Sequence, residues 1–183
     1  MSNEYNEPEA GTDSLRELYA DVHRDAGRLE VLHADRLCCQ RGCSACCVDD
    51  LTVFEIETDA IRRAHPALLT EGVPHQEGAC AFLDEAGACR IYDNRPYVCR
   101  TQGLPLRWLE QTDGEGLEQR DICPLNDAGA PVTELPAGDC WTIGPCEERL
   151  GALQRAHHGS MQRVRLRDLF RRSARDHQLE ERS

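Results

Sequence analysis

Four cysteines, Cys39, Cys43, Cys46 and Cys47, fall within nine residues, and Cys80, Cys89, Cys99 and Cys123 follow. Thiols crowded in this way constrain the chain more than any other feature of it. Thiolate is a soft, strongly donating ligand, and four of them close a tetrahedral Zn²⁺ site or carry an iron–sulfur cluster. Eight would close two such sites. Cys46 and Cys47 are adjacent in the chain and cannot easily point at one small ion together. They feed two sites, or one ligates while its neighbour packs.

Disulfides are the rival use of so many cysteines. The chain opens on an acidic, polar stretch, Met1 to Glu9, unlike a secretory signal. No apolar run approaches the roughly 18 residues that cross a bilayer. A cytoplasmic location without membrane association is therefore expected, and thiols stay reduced there. The odd total of 11 cysteines and the adjacent pairs Cys38-Cys39 and Cys46-Cys47 also fit a disulfide framework poorly.

The formal net charge of −12 argues against a general nucleic-acid role. All 21 basic residues are arginine, so no lysine amine is available for Schiff-base chemistry or for a P-loop. Nucleophile-elbow, nucleotide-binding glycine-loop and His-Glu-x-x-His motifs are missing from the sequence. The Arg-rich stretch from Arg163 to Arg175 reads as the wet face of an amphipathic helix lying against the acidic body of the chain.

The length suits one domain. We expect a disordered tail over 1–12 and a single cysteine-cluster domain over 13–178, with a cysteine core at 38–146 and a helical region at 147–178. A capping box at Ser14–Glu17 and apolar residues from Leu15 to Leu29 at helical spacing predict a helix from Ser14 to Leu37. Leu51–Phe54 should be extended, and Glu55–His65 should be a helix closed by Pro66. Residues 80–92 look like a hairpin turning through Asp84 to Gly87. If Leu83 pairs with Ala88, Cys80 and Cys89 become diagonal neighbours on one face. Asn94–Cys99 resembles a turn into a single helical turn, and residues 111–140 should be mostly loop. A last helical region is expected from Glu147 to His177, weak at Gly159-Ser160, with Leu166, Leu169, Phe170 and Ala174 as its apolar stripe. The fold class is then mainly α, with terminal helices packed around an irregular, hairpin-containing metal-binding centre.

Arg90 and Arg100 directly follow Cys89 and Cys99, and Arg41 and Arg95 lie close by. Arginines there can stabilise thiolates and offset the charge of a metal centre, although solvent-facing charge is an equal alternative for each one. Cys39 through Cys46-Cys47, Cys80-Ala-Phe-Leu, Cys89-Arg-Ile-Tyr and Arg95-Pro-Tyr-Val-Cys99-Arg100 together resemble the YkgJ-type cysteine-cluster family, described as zinc- or iron-chelating. The resemblance spans roughly 39–123. It implies a metal or iron–sulfur centre built from Cys39, Cys43, Cys46, Cys47, Cys80, Cys89, Cys99 and Cys123. Cys38, Cys140 and Cys146 fall outside it, and the last two are expected as buried, unreactive thiols.

The three-then-two cysteine spacing is also similar to that of radical S-adenosylmethionine enzymes. Ala45, however, takes the place of their aromatic, and too little regular α/β chain follows to build their barrel. His65, His75, His157 and His158 are expected at the surface or in packing, and the Asp49-Asp50 pair in solvent. Three functions remain open at this point. The first is an iron–sulfur electron carrier or oxidoreductase component, served by a redox protein partner. The second is a non-redox zinc or iron module that holds the fold or handles the metal, and the third is a small metalloenzyme.

Overall fold

The computed structural model describes residues 7–112 and 115–170. The first helix, α1, spans Glu7–Leu32 and buries Leu15, Leu18, Val22, Ala26 and Leu29. Those positions recur every three or four residues and form one apolar stripe. The helix begins before the expected Ser14 and takes in residues 7–12, while 1–6 lie outside the described residues. It also stops short of Leu37. Arg36 turns inward there, nearly buried, to donate to the carbonyls of Asn126 (3.0 Å) and Ala130 (3.1 Å).

Strand β1 (Thr52–Phe54) and helix α2 (Glu55–Ala64) stand where the sequence predicts them. Pro66 does more than end α2: it opens a second short helix, α3 (Pro66–Glu71), at the position where a missing N–H costs nothing. The short helix α4 (Tyr97–Thr101) carries Cys99, with Pro96 at its N-cap.

Residues 111–140 are not mostly loop. β2 (Leu106–Thr112) and β3 (Glu115–Asp121) form an antiparallel ladder, and β4 (Trp141–Thr142) adds to β2 in parallel. Asp113-Gly114 between the strands is the hairpin signal in the sequence. Charged residues on both strands blur the alternation that would have revealed them.

Helix α5 (Ile143–His158) ends at Gly159, near the expected weak point. The chain does not resume as helix. It forms β5 (Arg163–Arg165), which pairs antiparallel with β1 in the register Val53↔Val164. Leu166, Leu169 and Phe170 are buried as expected, whereas Ala174 and the arginines beyond Phe170 lie outside the described residues.

The fold is thus mixed α/β rather than mainly α. Nor do its long helices surround the cysteines: α1 and α5 pack on each other around Leu18, Val22, Tyr97, Trp141 and Leu150. A second core gathers Val53, Ile61, Phe82, Leu83, Ile91, Val164, Leu169 and Phe170. Helix α4 straddles the two, with Tyr97 in the first and Val98 against the second. Among the described residues no helix is long and apolar enough to cross a membrane.

Candidate metal centre

The first cysteine loop bends through two turns, Cys43 N–H to Gln40 O (2.9 Å) and Cys47 N–H to Ser44 O (2.9 Å). Gly42 sits in the left-handed region of the first turn, as a tight loop requires. One buried side chain anchors the start of this loop to the far end of the cysteine region. Asn126 is fully buried. Its Oδ1 accepts from Cys38 N–H (2.8 Å), and its Nδ2 donates to Gly103 O (2.8 Å) and to Cys39 Sγ (3.3 Å). Its own N–H donates to Cys123 O (2.8 Å), so Cys39 and Cys123 hang from the same residue. Gly103 is forced here. Its φ is +94°, and a Cβ would stand 2.8 Å from Cys39 Sγ.

Cys47 faces a different neighbour. Its carbonyl accepts from Cys80 N–H (3.0 Å), which brings the second cysteine segment alongside the first. The hairpin 80–92 turns through Asp84 to Gly87 as predicted, with Asp84 Oδ1 accepting from Ala86 N–H (2.9 Å) and Ala88 N–H (2.8 Å). Its register differs by one residue, because Leu83 pairs with Cys89 rather than Ala88. Cys80 is not in the ladder at all; its carbonyl accepts from Leu83 N–H in a turn (3.1 Å). Cys80 therefore approaches Cys89 through the turn and not through strand alternation. Cys80 is buried in the second core, and Cys47, Cys89 and Val98 pack against it.

Cys99 is fixed from beneath by Glu57, which is buried. Glu57 Oε1 accepts from Tyr97 N–H at the start of α4 (2.8 Å) and from Tyr19 O–H (2.9 Å), tying α1, α2 and α4 together. Burial raises its pKa above the usual carboxylate range.

The charges follow the geometry. The hydrogen bond between the neighbouring Cys46 and Cys47 thiols pulls Cys46 down to about 6 and pushes Cys47 up. Burial raises Cys39, Cys80 and Cys89, and lifts Cys99 to about 12. A cation bound by such thiols displaces their protons, which is the chemistry of thiolate metal sites.

The arginines supply a second sign of fit. Arg90, Arg95 and Arg100 each have a buried Nε–H with no hydrogen-bond partner among the described residues. Each guanidinium is held over an aromatic ring: Arg90 over Phe170 (5.6 Å), Arg95 over Tyr92 (4.0 Å) and Arg100 over Tyr19 (4.1 Å). Donors of this kind beside cysteines suit anionic sulfur as acceptor. The donor set thus fits zinc or iron, with Cys39, Cys43, Cys46, Cys47, Cys80, Cys89, Cys99 and Cys123 as candidate holders. Among the described residues no group of three or more His, Cys, Asp or Glu side chains is itself arranged to hold an ion, so no closed coordination sphere is seen.

The remaining candidates separate from the cluster. Every cysteine is a free thiol. Cys140 and Cys146 are buried as expected, Cys140 beneath Arg120 and Cys146 in the first core. Cys38 is exposed, with Sγ near Arg36 O (3.7 Å). His65 bonds Asn94 (2.9 Å), and His158 lies beside Asp59 (3.3 Å). Asp49 is not simply solvated: it pairs with Arg167 and accepts from Gly78 N–H (3.1 Å). Arg167 also donates to the carbonyls of His75, Gln76 and Ala79, fastening the loop that leads to Cys80. Sequence reasoning missed Asn126, Gly103, Glu57 and Arg167, whose partners lie far away in the chain. The only local hint was Asn126, three residues after Cys123.

Residues 37–124 match the family model described as "CxxCxxCC: Putative zinc- or iron-chelating domain". No curated protein and no solved structure matches the chain. The matched stretch begins one residue before Cys38 and ends one residue after Cys123, so it contains all eight candidate cysteines together with Gly103, Arg90, Arg95 and Arg100. Over residues 37–124, a little under half of its length, the chain is thus similar to the CxxCxxCC family.

Proposed function

We propose that this protein binds zinc or iron through the thiolates of Cys39, Cys43, Cys46, Cys47, Cys80, Cys89, Cys99 and Cys123. The observation that carries this reading is the gathering of three separated segments by dedicated polar contacts. Asn126 ties Cys38–Cys39 to Cys123, and a backbone hydrogen bond ties Cys47 to Cys80. Fixing loops in this way costs conformational entropy of about 1–2 kcal/mol per residue, which a metal bound by the cysteines would offset.

The finer reading is an iron–sulfur centre that passes electrons to a redox protein partner. Asn126 Nδ2 already donates to Cys39 Sγ, and the positive charges of Arg90 and Arg95 act on Cys89 and those of Arg95 and Arg100 on Cys99. Hydrogen bonds and positive charge around the sulfurs raise a cluster's reduction potential, so these residues would ease its reduction. Anaerobic purification followed by metal, acid-labile sulfide and absorption measurements tests both levels. Brown protein with iron and sulfide supports the cluster. Colourless protein with stoichiometric zinc overturns the cluster but keeps chelation, and protein without bound metal overturns both.

A further inference from the structure

Three alanines leave a gap where α1, α2 and the chain around α4 meet. Ala20 on α1, and Ala60 and Ala64 one turn apart on α2, carry no side chain long enough to close it. The result is a cleft of about 900 Å³, within the range of small-molecule sites. Its cations come from three segments: Arg16 from α1, Arg63 from α2 and Arg100 from α4. We propose that this cleft binds a small organic oxyanion, a carboxylate or a phosphate ester, held by Arg63 and Arg100 with its apolar part against the alanines. No cysteine lines the cleft, so this site is independent of the metal-chelating reading.

The contacts already made around the cleft show which groups remain for a ligand. Asp13 is taken by Arg16 (3.2 Å), and Asn94 Oδ1 by His65 (2.9 Å). Tyr19 gives its O–H to Glu57 (2.9 Å), while its ring carries the Arg100 guanidinium at 4.1 Å. Stacking of this kind holds the planar guanidinium in one orientation. Arg100 is half-buried, donates to Asp93 O (3.1 Å) and forms no ion pair with a carboxylate among the described residues. Arg62 pairs with Asp59 (2.7 Å), but its neighbour Arg63 is exposed and has no carboxylate partner among the described residues. Two guanidinium forks on different walls of one cleft are therefore left without an anion. Such forks match the paired oxygens of carboxylates and phosphates. Of the two carboxylates in the lining, Asp93 is the one no arginine neutralises, and it opposes an anion. A concave surface with surplus guanidinium focuses positive potential even on a chain of net charge −12.

Calorimetric titration of the full chain, as purified, with phenyl phosphate, benzoate and benzyl alcohol tests the site. At least one of the two anions should bind saturably, and the tighter of them identifies the headgroup, whereas the neutral alcohol should not bind. Arg63→Gln should weaken binding about tenfold or more while melting temperature and metal content stay unchanged, because Arg63 is exposed and unpaired. Asp93→Asn should tighten binding by removing the opposing charge. Ala20→Leu changes no charge at an exposed position and should abolish binding by filling the space. Failure of both anions to bind overturns the site, as does benzyl alcohol binding as well as they do. Native affinity in both Arg63→Gln and Ala20→Leu also overturns it. Metal content measured in the same samples reports separately on chelation.

Discussion

The α1–α5 half and the cysteine half of this molecule are ordered by different physics. Between α1 and α5 the order comes from repetition. Leu15, Leu18, Val22 and Leu29 meet Trp141 and Leu150, and many small burial terms of about 25 cal/mol per Å² add up. In the cysteine half a few polar side chains each serve several backbone groups. Asn126 joins Cys38, Cys39 and Gly103; Asp84 closes the hairpin tip; Arg167 fastens residues 75–79. An apolar stripe weakens by degrees when one residue changes. A loop that depends on single anchors and on its ligands is lost as a unit, so the two halves should fail in different ways.

Removal of metal gives the widest separation. Structural zinc contributes on the order of 10–16 kcal/mol of apparent binding energy, against 5–15 kcal/mol of net stability for a typical domain. Chelation should therefore unfold at least residues 39–123, seen as lost amide protection and a lower melting temperature. Unchanged circular dichroism and melting after complete metal removal would show that the cysteine half holds itself together.

Leu150→Ala probes the other half. Leu150 is 1 % exposed, and its truncation should cost about 2–5 kcal/mol in denaturant unfolding while metal content per folded chain stays constant. A parallel loss of metal would mean that the halves are energetically one.

Two glycines sharpen the contrast with a single methyl group each. Gly103→Ala should cost about 1–2 kcal/mol from the left-handed backbone alone, and more once Cβ presses on Cys39 Sγ and Asn126. Lower metal affinity measured by competition with a chelator is the expected signature. Gly27→Ala lies within α1 and meets nothing within 4 Å, so helix propensity should stabilise the protein by up to about 1 kcal/mol with no change in metal binding. If Gly103→Ala left metal affinity untouched, its approach to Cys39 would have no bearing on the centre.

Much of the helical half was legible in the sequence because its signals are periodic and local. The stripe from Leu15 to Leu29, the Phe54–Glu55 boundary of α2 and the stop at Gly159 all read directly. The cysteine half showed its ligand types but not its supports. Asn126 meets Cys38 across 88 residues and Arg167 meets Asp49 across 118, and no spacing rule spans such gaps. The same limit explains the reading of 163–165 as helix: its arginines look amphipathic, but Val164 belongs opposite Val53 in a ladder set by tertiary pairing. The hairpin register failed by one residue because a turn at Cys80 leaves too little strand to fix it.

The β1–β5 ladder also imposes an order on events at the ribosome. All eight thiols are synthesised before Arg163–Arg165 can pair with Thr52–Phe54, and before Arg167 reaches the segment ahead of Cys80. A nascent chain therefore presents its sulfurs before this last fastening can form.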